Sequence, residues 1–358
     1  MEFCAVLRKY PKDTPGGAEY QAYLISRELA KRGHDVHYVA YQAGQTKTEI
    51  DEGIQVHRMD SASTKEVIGK LASIQSDVYY FRLVTDLPLL WRAKRQLNGE
   101  FVYNISRDVQ CKSLFDRGPP HDSFNLFRSF LSRGRYAFYR FLLRVPDKIF
   151  AQTHHQQELL KENHSLESTV IGNGHPIPDG NIQKASPPAV LWLSSLKRVK
   201  NPELFLRLFE RTRDLPVQFW IVGRPVDSDV REMVQEKADE CEKITYLGGT
   251  GIVESNEYFK KASVYVHTGN SEGFPNTMIQ SWLHRTPVIS LGANPDLVLE
   301  RHDIGEYCSS IDEAEIQLRQ LTEDKKFRKS IGTNARRYAI NNHSIEKIVD
   351  KIERSLRV

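Results

Sequence analysis

The chain has 358 residues, 40% of them apolar and 10% aromatic, which is more than one hydrophobic core usually fills and enough for two. A net charge of +4 excludes the heavily basic balance of a nucleic-acid binder, so any cationic site must be local. The composition is that of a globular chain, and no apolar run approaches the roughly 20 residues of a membrane span.

In the first half, "FCAVL" (3–7), "DVHYVA" (35–40), "IQVHRM" (54–59), "DVYYFR" (77–82), "FVYNI" (101–105) and "KIFAQ" (148–152) read as short strands. Helical patterns lie between them, the first being "GAEYQAYLISRELAKRG", with Gly33 as its terminating cap. The stretch "GNGHPIPDGNIQKASPP" (172–188) breaks both periodicities and is expected to hold the domain boundary. Beyond it, "AVLWLS" (189–194), "VQFWIVG" (217–223), "ITYLG" (244–248), "SVYVHT" (263–268) and "PVISL" (287–291) repeat the strand–helix rhythm. This alternation implies parallel βαβ units, hence an α/β fold of two doubly wound, Rossmann-like domains. The expected domains are 1–178 and 179–340, with a helix over 341–358 that crosses back to the first domain.

The stretch "NSEGFPNTMIQSW" (270–282) packs an acid, a glycine and a proline into one turn before a helix. Pro275 suits a first helical position, Gly273 lets a ligand approach the backbone, and the N–H groups of Asn276 and Thr277 favour an anion. Glu272 cannot bind that anion but can accept hydroxyls, so the turn suits a ligand carrying both phosphate and polyol. The alternative is a capped core helix whose Gln280 faces solvent. "LSSLKRVKNPELF" (193–205) brings Lys197, Arg198 and Lys200 to the C-terminal end of a strand, where open α/β sheets bind ligands. "TPGGAEYQAYL" (14–24) places Gly16 and Gly17 in a βα turn that can expose N–H groups to phosphate, although it is not the dinucleotide fingerprint.

Together with "DKIFAQTHHQQELLKE", "STVIGNG", "WIVGRP", "YLG" and "PVIS", these segments resemble the GT-B glycosyltransferases, specifically the retaining family 4, over nearly the whole chain. The resemblance implies two domains facing each other across a cleft, with the acceptor on the first and a nucleotide-sugar donor on the second. It implies that Gly16 and Gly17 meet the donor diphosphate, that Lys200 binds phosphate, and that Glu272 contacts the donor sugar. The backbone of Gly273, Phe274, Pro275, Asn276 and Thr277 would cradle the diphosphate, and Gly223 with Arg224 would border the nucleoside. Three positions depart from the family. Gln280 replaces a second glutamate that usually meets the ribose. Ser195 replaces an arginine, leaving Lys197 or Arg198 to supply its charge. "SRD" (106–108) stands where many members carry a histidine, and Asp108 there joins Glu272 and Lys200 as a candidate catalytic residue.

The implied activity is transfer of a sugar from a nucleotide-sugar donor, a UDP- or GDP-sugar, to a hydroxyl of a glycan or lipid-linked acceptor. No cofactor and no metal enter this scheme, and no histidine pair has ligand spacing. The alternatives are a sugar-nucleotide epimerase and a catalytically silent binding subunit. The segment 123–146 carries five arginines, seven Phe or Tyr and no acid, and reads either as a packed helix with its arginines in water or as a contact for an anionic membrane. The scattered Cys4, Cys111, Cys241 and Cys308, and an N-terminal stretch without signal-peptide character, predict a cytoplasmic protein, soluble or peripheral on the inner membrane face.

Overall fold

A computed structural model describes residues 1–14, 16–113, 126–251, 253–270 and 272–356, the side chains of 126–133 excepted. The chain divides into two units, Met1–Gly174 with Ile348–Val358, and His175–Lys347.

The first unit runs β1 (Glu2–Leu7), α1 (Gly17–Lys31), β2 (Asp35–Ala40), β3 (Lys47–Asp51), β4 (Ile54–Arg58), α2 (Thr64–Ile74), β5 (Val78–Phe81), α3 (Leu87–Lys94), β6 (Glu100–Asn104), α4 (Leu126–Leu142), β7 (Lys148–Ala151), α5 (His154–His164) and β8 (Thr169–Val170). Its sheet has the order β3-β4-β2-β1-β5-β6-β7-β8. Strands β1 and β5 are buried along almost their whole length, as strands covered on both faces should be. The expected parallel pairing holds except for β3, which runs antiparallel to β4. Its cause is local: Glu52 and Gly53 both take positive φ (48° and 84°), the two-residue turn that matches strand twist in a hairpin.

The second unit runs β9 (Ala189–Leu193), α6 (Pro202–Thr212), β10 (Gln218–Val222), α7 (Ser228–Glu240), β11 (Ile244–Tyr246), α8 (Ser255–Lys261), β12 (Val264–His267), α9 (Asn276–Leu283), β13 (Val288–Ser290), α10 (Val298–Arg301), β14 (Gly305–Tyr307), α11 (Ile311–Glu323), α12 (Lys325–His343) and α13 (Ile345–Leu356). The sheet is parallel, in the order β11-β10-β9-β12-β13-β14. From β9 the chain winds outward one way through β10 and β11, then returns to β12 and winds the other way. The crevice at the C-terminal ends of β9 and β12 is therefore a topological switch point, the place where open α/β sheets bind ligands. Residues of α13 from Ile348 onward group with the first unit, where Arg32 reaches Asp350 at 2.8 Å and Glu353 at 2.6 Å.

Candidate functional site

The two chain segments that leave the switch point of the second unit carry its chemistry. After β9 the backbone runs through Ser194–Lys197 into a short helical turn, Arg198–Lys200, closed by Asn201 at φ 48°. After β12, residues Thr268 to Asn270 and Glu272 to Pro275 lie between the strand and α9, which begins at Asn276. Pro275 thus sits just before the first helical residue rather than on it, in extended geometry. Thr268 ties the two segments together. Its hydroxyl accepts from the Trp192 indole N–H (2.8 Å) and donates to the Lys200 carbonyl (2.5 Å), while Asn201 donates to the Thr268 carbonyl (3.2 Å). These bonds carry Lys200 over the turn, and its ammonium pairs with the Glu272 carboxylate. Both side chains keep about a quarter of their surface exposed (25% and 23%), so an incoming ligand can reach either.

A buried histidine shapes the same turn. His267 Nε2 faces the Gly269 carbonyl at 3.1 Å; a carbonyl only accepts, so this nitrogen is assigned the proton. Burial, with Lys200 adding repulsion and Glu272 opposing it, lowers His267 to about 4, and the ring is neutral at ordinary pH. Tyr265 hydroxyl donates to Thr277 in the first turn of α9 (2.8 Å), and Phe274 lies against His343 with ring centroids 4.4 Å apart. The turn is therefore fixed from below by Tyr265, His267 and Phe274, and the Phe274 side chain belongs to the core. Sequence reasoning missed Trp192, Thr268, Asn201 and Tyr265, and no local pattern marks them.

The other candidates fall as follows. Gly223 ends β10 with its N–H on the Gly248 carbonyl (2.8 Å); a Cβ there would lie 1.8 Å from the Ser194 carbonyl oxygen, so only glycine lets these loops touch. Arg224 follows it, exposed, and forms no ion pair among the described residues. Arg198 is taken by Asp229 of α7, whereas Lys197 forms no ion pair among the described residues. Ser195 lies partly buried in the same loop. Gln280 does not face solvent: it is 3% exposed, and its amide donates to Ser255 (3.0 Å) and Asn256 (3.1 Å) at the start of α8.

In the first unit, Gly16 precedes α1, and the Glu19 carboxylate folds back so closely that a Cβ on Gly16 would meet it at 2.3 Å. A carboxylate thus already lies at the α1 N-terminus beside Gly17, and phosphate there requires Glu19 to swing away. Asp108 stands beyond β6 and accepts from the Gln156 amide at 2.8 Å. This unit has its own switch point between β1 and β5. There Asp86 is fully buried, accepts the Tyr41 hydroxyl at 2.5 Å and lies 3.8 Å from Arg8. Burial raises Asp86 to about 6. At the opposite edge of the sheet, Glu2, Asp35 and His37 bring three potential metal-ligating atoms within 4.8 Å of one another, a grouping that local sequence does not show.

Residues 187–323 match the model of the family described as glycosyl transferases group 1. Glycosyltransferase 1 domain-containing protein 1 of Xenopus tropicalis is 22% identical over 157 residues, covering 43% of this chain and 46% of that protein. The match thus spans less than half the length of the curated relative. Among solved structures, sucrose-phosphate synthase from Thermosynechococcus elongatus superposes with a TM-score of 0.81 at 14% identity, covering 100% of this chain and 98% of that one. HepE of Anabaena, solved with UDP-glucose, gives 0.76 at 16% identity with both chains covered completely. An α,α-trehalose-phosphate synthase from Burkholderia xenovorans, solved with glucose-6-phosphate, gives 0.74 at 12% identity, again over 100% of each chain. The fold is the GT-B arrangement of two Rossmann-like sheets. The likeness is thus to glycosyl transferases group 1 over residues 187–323 and to the fold alone over the whole chain.

Proposed function

We propose that this protein is a retaining glycosyltransferase that moves a sugar from a nucleotide-sugar donor to a hydroxyl of a glycan or lipid-linked acceptor. The observation that carries the reading is the Lys200–Glu272 pair, held at a topological switch point beside the N-terminus of α9. In the resting protein each charge satisfies the other. A diphosphate takes over Lys200 and the N-terminal end of α9, and each charge-assisted bond it gains contributes about 1.5–3 kcal/mol. Glu272 is then released to accept hydroxyls of the donor sugar. Lys197, which forms no ion pair among the described residues, supplies the second cation, Arg198 can join it once its exposed pair with Asp229 opens, and Arg224 with Gly223 borders the nucleoside. Gln280 supports α8 from within and reads no ribose. UDP is the nucleotide we favour, because HepE, of the same fold, was solved with UDP-glucose.

In the proposed reaction the bond between the anomeric carbon and the leaving phosphate oxygen breaks. The acceptor oxygen forms its bond on the same face and gives its proton to the departing phosphate. The protein's part is electrostatic: fixed donors and Lys200 meet the charge that develops on the diphosphate. We assign acceptor recognition to the first unit, with Asp108 as its acidic candidate. On α4, Phe138 and Phe141 are each 48% exposed and meet Trp91 edge-on, with Arg135 exposed beside them; this favours an acceptor held at an anionic membrane. Arg128 and Arg133 lie outside the described side chains. Salt-sensitive flotation with anionic vesicles, lost in Arg135→Gln/Arg140→Gln, tests that placement; flotation indifferent to salt and to the substitutions refutes it.

The decisive experiment begins with a thermal-shift screen of UDP-, GDP-, ADP- and dTDP-sugars, since a ligand that binds only the folded state raises its stability. With the donor found, Glu272→Ala should lower turnover at saturation by about two orders of magnitude, because the reacting carbon loses its position. Affinity for the free nucleoside diphosphate should change little. Product analysis should show the donor's anomeric configuration preserved. Loss of nucleotide affinity with saturated turnover intact would reverse the assignment of Glu272.

A further inference from the structure

A second cluster of charge lies at the other end of the second unit's sheet. Ala185, Ser186 and Pro188 lead into β9, Ser263 into β12 and Arg285 towards β13, so the cavity they line opens at the N-terminal edge of the strands, away from Lys200 and Glu272. The cavity measures about 440 Å³, within the range of small-molecule sites. Five cations line it, Lys184, Arg285, Lys325, Arg328 and Lys329, and no acid does. None of the five forms an ion pair among the described residues.

Their surroundings make this arrangement unfavourable unless an anion joins it. The first turn of α12 contains Lys325 and Arg328 and no acidic residue, which sets positive charge against the positive end of a 19-residue helix. Asp324, the nearest carboxylate in sequence, caps the same helix through the N–H groups of Lys326 and Phe327, both at 2.9 Å, and offsets part of the Arg328 charge, but it does not line the cavity and is one acid against five cations. Lys184 donates to the carbonyls of His284 (2.8 Å) and Phe259 (3.3 Å) and to the Thr286 hydroxyl (2.7 Å). These neutral oxygens satisfy its hydrogen bonds without neutralising its charge. Burial together with Arg328 and Arg285 depresses Lys184 to about 7, a sign of how poorly the cluster is compensated. Arg328 is held in the same way by the carbonyls of Leu321 and Thr322. Two cations are thus fixed by neutral acceptors at the wall, while Arg285, Lys325 and Lys329 reach in from the exposed side.

We propose that this cavity is a binding site for a small multiply phosphorylated ligand, separate from the donor site of the same unit. Two or three phosphates match the charges of Arg285, Lys325, Arg328 and Lys329, and their arrival draws Lys184 back to its protonated form, while the α12 N-terminus adds its partial charge. Arg285 offers a planar fork for one phosphate, and the lysines offer point charges that tolerate variation in the rest. Because the lining joins α12 to the segments that enter β9, β12 and β13, an occupant would cross-link them and stabilise the folded unit.

Inorganic tripolyphosphate is the probe, titrated calorimetrically into the full chain and its variants. Wild type should bind it saturably at this site, and Arg285→Gln/Lys329→Gln should weaken that binding by tenfold or more. Lys31→Gln/Lys65→Gln, an equal charge loss on exposed positions of the first unit, should leave it unchanged, as should Lys200→Ala. Without the probe, the Arg285→Gln/Lys329→Gln protein should melt no lower than wild type, because mutual repulsion is relieved. Absence of saturable binding overturns the proposal. So does equal weakening in the two double variants, or weakening in Lys200→Ala alone, which would place the anion at the donor site.

Discussion

Replacing Gln280 by Glu separates a buried structural amide from a residue that reads a sugar hydroxyl. Gln280 is 3% exposed and donates both amide hydrogens, to Ser255 at 3.0 Å and to Asn256 at 3.1 Å. A carboxylate cannot donate, so Ser255 and Asn256 would have to rotate and donate instead, and the new charge would lose its water. Burial of that kind raises a carboxyl pKa by about two units, and at 1.36 kcal/mol per unit the variant should lose about 2.7 kcal/mol at high pH. The sign follows from proton binding. With its folded pKa above the unfolded value of about 4.3, the variant binds the proton more tightly when folded, so its stability falls as pH rises. The deficit against wild type should be small at pH 4 and should reach its full size near pH 8. Urea unfolding followed by tryptophan fluorescence at both pH values measures it, and three of the four tryptophans, Trp192, Trp220 and Trp282, lie in the second unit. A deficit independent of pH, or a Glu variant as stable as wild type at pH 8 that binds ribose nucleotides better than 2′-deoxyribose ones, would refute the buried-amide account.

Two further substitutions probe the switch points. Lys200→Ala should weaken a nucleoside diphosphate by about 2–3 kcal/mol while leaving the nucleoside unaffected, as parallel titrations of the two would show; equal losses would mean that Lys200 acts through folding. Asp86→Asn should stabilise the protein by about 1–3 kcal/mol at pH 8 and by little at pH 4. Asp86 is fully buried with Oδ2 unpartnered among the described residues, and its pKa is raised from 3.8 to about 6. Its penalty is therefore absent below 3.8 and grows as pH rises through that interval, and melting curves at the two pH values read it directly.

What could be read in the sequence was what short-range pattern encodes. Strands such as "AVLWLS" and "SVYVHT" declare themselves because both faces of a parallel sheet are covered and nearly every residue is apolar. Strand β3 does not, since "KTEID" is polar on an edge and its only signal is the Glu52–Gly53 turn. The turns that carry Lys200 and Glu272 stand out in the sequence, but the bonds that bring the two side chains together do not. Trp192 to Thr268 and Thr268 to Lys200 each span more than sixty positions, and only the β9–β12 neighbourhood makes them local. The choice between Lys197 and Arg198 stayed open for the same reason. The Asp229 that pairs with Arg198 lies 31 positions beyond it, on a helix whose register the sequence does not reveal.

On the proposed reading, the Lys200–Glu272 contact lets a site suited to a dianionic group satisfy its own charges before a ligand arrives. An isolated lysine over a helix N-terminus would repel both the helix end and its neighbours, as the cations around α12 do. Here Glu272 supplies the negative charge that, in the proposed complex, phosphate would supply. Partly exposed ion pairs contribute about 1 kcal/mol or less, so opening this one costs little. A diphosphate then replaces one carboxylate by a larger charge with more acceptor oxygens, and each new charge-assisted bond returns more than the ion pair gave up. Thr268, Trp192 and Asn201 hold the lysine's backbone through the exchange, so only its side chain and that of Glu272 need to move. If a diphosphate binds as proposed, the same arithmetic implies that Glu272 is more than a passive counter-ion. Displaced from Lys200 and set beside an anion, its carboxylate is repelled unless it finds donors of its own, and the hydroxyls of a sugar attached to that diphosphate supply them.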